Sequence, residues 1–171
     1  MSPAPSVDDI FLFRVFEEPL VPIRATPTDE ENVAVRDALA AYAHRAGPDD
    51  FSALTDYLDA HPDSAWNAAL WSGLGLEFYN TGHYSRALSA WKQSWQRASA
   101  ATDVRGKALA DRAVGELAFM YARLGMTTEL DALLASLRGR GFTGPATERI
   151  TGAHEVLATM RASPLLGADR A

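Results

Sequence analysis

From Thr28 to Pro164 the chain repeats one design: apolar residues three and four apart, in stretches closed in all but one case by glycine or proline. No segment alternates apolar with polar residues long enough to build a sheet. A helix of this kind buries only one stripe, so successive stripes must cover one another. Thr28-Asp-Glu-Glu31 has capping-box spacing, Val35, Ala38, Leu39 and Tyr42 share a face, and Gly47-Pro48 ends the helix. Asp50 opens a shorter helix with Phe51, Leu54, Tyr57 and Leu58, which ends by His61-Pro62. A third runs from Asp63-Ser64 to Gly82, a fourth from Tyr84 to Ala101, and a fifth from Asp103 to Leu124. A sixth spans Thr127–Arg138, and the last starts near Thr143-Gly-Pro145 and stops before Pro164. The expected fold is all-α, with about seven helices in a domain over 28–163 and a flexible tail at 164–171.

Residues 1–27 have another character. Ile10-Phe-Leu-Phe-Arg-Val-Phe16 is aromatic and β-branched, and Pro19, Pro22 and Pro27 follow. Proline removes amide donors and biases the preceding residue away from helix, so an extended N-terminal arm is expected. Its apolar side chains need cover, either along the helical body or on a partner.

Composition narrows the chemistry. At 171 residues one domain is expected, and a net charge of −6 with no basic run argues against nucleic-acid binding. There is no cysteine, so disulfides, thiolate nucleophiles and cysteine-ligated metals are excluded. Met1–Asp9 lacks the basic start of a secretory signal, and no apolar run approaches the ~20 residues that span a bilayer. A cytoplasmic protein without membrane contact or cofactor is expected. His44, His61, His83 and His154 lie at separate helix ends or in different helices, with no second ligand at i+3 or i+4, so no metal site is predicted. Ser89-Ala-Trp-Lys92 spells a catalytic S-x-x-K only by coincidence, since a serine and lysine flanking a core Trp91 do not converge in a pocket.

Equal helices with short turns prompt a search for internal repeats. Trp71-x2-Leu74-Gly75-x2-Phe78, followed by Ala87-x3-Trp91, matches the tetratricopeptide pattern in register, with Ser99 where the closing proline would stand. A weaker copy follows in Val114-x2-Leu117-Ala118-x2-Tyr121, Gly125 and Leu130-x3-Leu134. Phe78 and Tyr121 are 43 residues apart, against about 34 in a regular array. Over roughly 30–160 the chain thus resembles the tetratricopeptide repeat family. The resemblance implies antiparallel helix pairs in a right-handed superhelix. Phe16-Glu-Glu-Pro-Leu20, His61-Pro-Asp-Ser64, Gly106–Glu116 and Gly144–Ala153 are similar to a bacterial group whose helical module precedes a papain-like protease domain, sometimes in RHS-repeat proteins. That likeness implies a recruiting or regulatory module and carries over no catalytic residue.

The fifth helix carries the candidate site. Arg105, Arg112, Glu116, Phe119 and Arg123 are spaced by seven, four, three and four and form one stripe. The resemblance places this stripe on the concave groove, beside Ala69, Ser72, Leu76, Tyr79 and Asn80 of the third helix. The binding set is therefore Leu76, Tyr79, Asn80, Arg105, Arg112, Glu116, Phe119 and Arg123, suited to an acidic peptide or protein. The alternative is a solvated face with local Glu–Arg pairs. The expected function is a protein-interaction module that is not an enzyme. The rivals are a non-catalytic part of a papain-like protease system, and an enzyme with a pocket inside the superhelix built on Glu116 and a histidine.

Overall fold

A computed structural model describes residues 4–163, and every regular element among them is helical. The expected tail at 164–171 lies outside the described residues. In chain order the helices are α1 (Val7–Leu12), α2 (Asp29–Ala43), α3 (Ser52–Ala60), α4 (Asn67–Asn80), α5 (Tyr84–Ala98), α6 (Val104–Arg123), α7 (Thr127–Ser136) and α8 (Pro145–Ala162). The chain divides into two compact units, Met1–Ala110 and Asp111–Ala171, with the boundary inside α6.

In the first unit, α2 packs on α3 and α4 on α5. The Thr28 capping box forms as its spacing predicts: the Thr28 hydroxyl accepts the Glu31 amide at 3.2 Å, and the Glu31 carboxylate accepts the Thr28 amide at 2.9 Å. Gly82 ends the α4–α5 turn at φ 82°, a left-handed conformation that suits a residue without Cβ. Gly75 lets the two helices touch. A Cβ there would lie 2.6 Å from Trp91 Cδ1 and closer still to Nε1. Ala87 and Trp91 are buried, at 0% and 1% exposure. Two polar side chains buried between helices are paired: Trp66 Nε1 donates to Asn32 Oδ1 at 3.1 Å, and Ser94 Oγ donates to the Ala68 carbonyl at 2.8 Å.

The N-terminal segment departs from the wholly extended arm expected. Residues 7–12 form α1, because Ser6 and Asp9 make a second capping box. The Ser6 hydroxyl accepts the Asp9 amide at 3.2 Å, and the Asp9 carboxylate accepts the Ser6 amide at 2.8 Å. The Ser6 hydroxyl, then its amide, holds the Asp9 carboxyl below its ordinary pKa. Pro19, Pro22 and Pro27 restrict the later part of the segment, but after Pro5 the first breaker is Pro19, which leaves residues 7–12 free to turn. Beyond α1 the chain runs without regular structure to Thr28.

Part of the arm finds cover on its own unit, while Leu12 and Phe13 stay exposed. Ile10, Phe16, Leu20, Val21 and Ile23 are all buried. The Phe16 ring fills the space beside Gly73, where an added Cβ would meet it at 2.6 Å, and it stands 5.8 Å from the Tyr42 ring. The Ile23 amide donates to the Ala65 carbonyl at 2.9 Å. Each buried apolar side chain contributes roughly 1.5–3 kcal/mol, which offsets part of the entropy of ordering the segment.

In the second unit, α7 packs on α8. Gly115 of α6 faces α8 closely, since a Cβ would lie 3.3 Å from the Ala146 Cα. Leu130, Leu134, Ile150, Ala153 and Leu157 are buried. Buried Asp111 holds the α7–α8 connection, accepting from Arg140 at 3.2 and 2.9 Å and from the Thr143 hydroxyl at 3.3 Å.

Candidate functional site

The predicted stripe is divided by the structure. Arg112, Glu116, Phe119 and Arg123 belong to the second unit, whereas Leu76, Tyr79, Asn80 and Arg105 belong to the first.

In the second unit, a helical repeat of four puts Arg112 and Glu116 one turn apart on α6, and the two side chains meet. Arg112 Nε lies 3.0 Å from Glu116 Oε1, and an Arg149 guanidinium nitrogen reaches the same oxygen at 3.0 Å. Glu116 is only 4% exposed. Its carboxylate is thus a buried anchor between two guanidinium groups, and a groove-facing role for Glu116 gives way to an internal one. The Arg149 guanidinium carbon sits 4.6 Å from the Phe119 ring centre, and that of Arg123 5.6 Å away. One half-buried aromatic ring therefore carries two cations, one of them fixed by the buried carboxylate. The guanidinium groups of Arg112, Arg123 and Arg149 bring planar donors suited to carboxylate or phosphate. Arg123 is the exposed member. Arg149 escaped the sequence reading because it stands on α8, 33 residues from Glu116, where no helical period links them.

In the first unit, Leu76 and Tyr79 are half-buried on α4, and exposed Asn80 is its last residue. Tyr79 joins an aromatic group, with its ring centre 5.5 Å from Tyr84 and 6.1 Å from Trp91. Arg105 looks toward the arm: its guanidinium lies 4.3 Å from the Phe11 ring centre and 3.9 Å from Asp8 Oδ1.

Several titratable groups are engaged in local contacts. Burial, reinforced by the Glu77 charge, pushes the Tyr42 phenol up to about 12. Tyr42 donates to Glu77 Oε2 at 3.2 Å, and the Arg45 guanidinium lies 4.0 Å over its ring. The Asp50 carboxyl is held down by Ser52, whose hydroxyl and amide both donate to it. His83 approaches Asp49 at 3.4 Å, and His44 Nδ1 lies 2.8 Å from the Ala40 carbonyl. Among the described residues no three histidine or carboxylate groups converge where a metal ion could sit. No described helix is long and apolar enough to cross a membrane. Set against protein-family models, curated proteins and solved structures, the chain matches none.

Proposed function

We propose that the chain is a protein-interaction module of the tetratricopeptide type, which recruits an acidic peptide or protein segment and performs no chemistry of its own. The repeat reading is supported by the α4–α5 pair, where Gly75 admits the Trp91 ring at close contact and Ala87 is fully buried, as their spacing calls for. The observation that carries the binding reading is the ring of Phe119 with the guanidinium groups of Arg123 and Arg149 over it, Arg149 being fixed by buried Glu116. Such a surface offers an apolar platform and oriented donors at once, which lowers the entropy lost on binding an acidic side chain.

The test is a peptide display screen against the whole protein, with affinity and melting measured on the same samples. The expected result is selection of acidic peptides whose affinity falls with salt, and a loss of about tenfold or more in Arg123→Glu with melting unchanged. Arg112→Glu should instead lower stability as well, because it sets a second carboxylate against buried Glu116. Selection of no acidic peptide, or full affinity in a stable Arg123→Glu variant, overturns the proposal.

A further inference from the structure

The first unit contains a cleft of about 500 Å³ between the arm and the α5–α6 connection. One wall is Val21, Pro22, Arg24 and Thr26 of the arm, and the other includes Thr102, Asp103 and Arg105. Its volume falls within the range of small-ligand sites, about 300–1,000 Å³. In a chain of net charge −6, the charged groups on its walls are two arginines and one aspartate. That aspartate is already engaged, since Asp103 Oδ1 accepts the Gly106 amide at 2.8 Å. The arginines make only weak contacts of their own. Exposed Arg105 lies 3.9 Å from exposed Asp8 and 4.3 Å from the Phe11 ring centre, and Arg24 reaches the Gln96 carbonyl only at 3.4 Å.

The backbone of Arg24 is unusual. At φ 74° it is the only non-glycine residue with positive φ among those described, in a region that side chains with a Cβ disfavour. Glycine or asparagine would serve a simple reversal better. The side chain present is instead a guanidinium that lines this cleft and also a second one of about 190 Å³.

We infer that this cleft is a binding site for a small organic anion, with a phosphate or carboxylate head held between Arg24 and Arg105 and an apolar body on Val7, Val21 and Pro22. The site is separate from the Phe119 surface and does not depend on it. Two guanidinium groups from different elements give forked donors to one oxyanion head. Occupancy ties the arm to the α5–α6 connection, so a ligand also slows opening of the arm.

The experiment is NMR titration of the whole protein with phenyl phosphate, benzoate and phenol, alongside amide hydrogen exchange. Phenyl phosphate or benzoate should give saturable shifts at residues 22–26 and 101–105 and slow exchange there, and phenol should not. The stronger of the two anions identifies the head group. Arg24→Gly provides the decisive variant, because glycine accepts φ 74° and the fold is retained. It should melt no lower than the parent and bind about tenfold or more weakly. Absence of saturation by both anions overturns the inference. So do equal binding of phenol, shifts centred on Phe119 instead, or undiminished binding by Arg24→Gly.

Discussion

Two glycine-to-alanine substitutions, chemically identical and both inside helices, should change stability in opposite directions. In an exposed helix, alanine is favoured over glycine by roughly 1 kcal/mol. Gly152 of α8 has nothing within 4 Å of an added Cβ, so Gly152→Ala should stabilise by about 0.5–1 kcal/mol. Gly75 of α4 gains the same propensity, but the new methyl meets three Trp91 ring atoms inside 3.0 Å. Trp91 is 1% exposed, and a rigid indole packed on all sides has little room to withdraw. Overpacking of this kind costs roughly 1–3 kcal/mol, and the absence of any escape argues for the upper end. The net expectation for Gly75→Ala is a loss of about 2 kcal/mol. Urea unfolding followed by tryptophan fluorescence reads it directly, because Trp66, Trp71, Trp91 and Trp95 all lie in the first unit. Gly152→Ala is followed by far-ultraviolet circular dichroism. Trp91→Phe introduced with Gly75→Ala should recover part of the loss through a favourable coupling between the sites. If Gly75→Ala raises stability as Gly152→Ala does, the close α4–α5 contact is not present in solution, and the motif argument falls with it.

Further outcomes follow from individual contacts. Phe16→Ala should destabilise the first unit by about 3 kcal/mol, since it empties the space beside Gly73; an unchanged urea midpoint would show that the arm is not docked there. Glu116→Ala leaves Arg112 and Arg149 without their shared carboxylate and should cost about 2 kcal/mol, a figure reduced because both guanidinium groups keep partial solvent contact. An undisturbed melting curve would return Glu116 to the solvated-face reading. Tyr42 keeps its proton to about pH 12 in the folded chain, whereas an unfolded tyrosine loses it near 10. The folded state then binds more protons above pH 10, so stability present in full below that pH should fall between about 10 and 12. Tyr42→Phe should flatten this part of the stability–pH profile; an identical slope in both proteins would assign the alkaline loss elsewhere.

Helix existence and most boundaries were open to reading from sequence because their causes are local. The Thr28 and Glu31 side chains cap within four residues, Gly82 turns the chain by its own φ, and the 3.6-residue period of Val35, Leu39 and Tyr42 marks a buried face before any partner is known. The same local logic, applied to Ser6 and Asp9, would have disclosed α1. The core role of Trp91 and the need for a small residue at Gly75 were also legible, because the repeat spacing ties them together.

What lay beyond the sequence depends on contacts between residues far apart in the chain. The arm could rest on its own body or on a partner, and only packing against Gly73, Tyr42 and Ala65 decided for the body. The stripe lies within one helix, α6, yet helical spacing does not say which side chains reach solvent. Arg149, arriving from α8, joined Arg112 on Glu116 and made that carboxylate internal, while Arg105 turned to Phe11. Helical spacing fixes neighbours along one element, within a few ångströms and a few residues. Burial and pairing of charges are set by what a second element brings across the gap, and no period in a single chain encodes that partner.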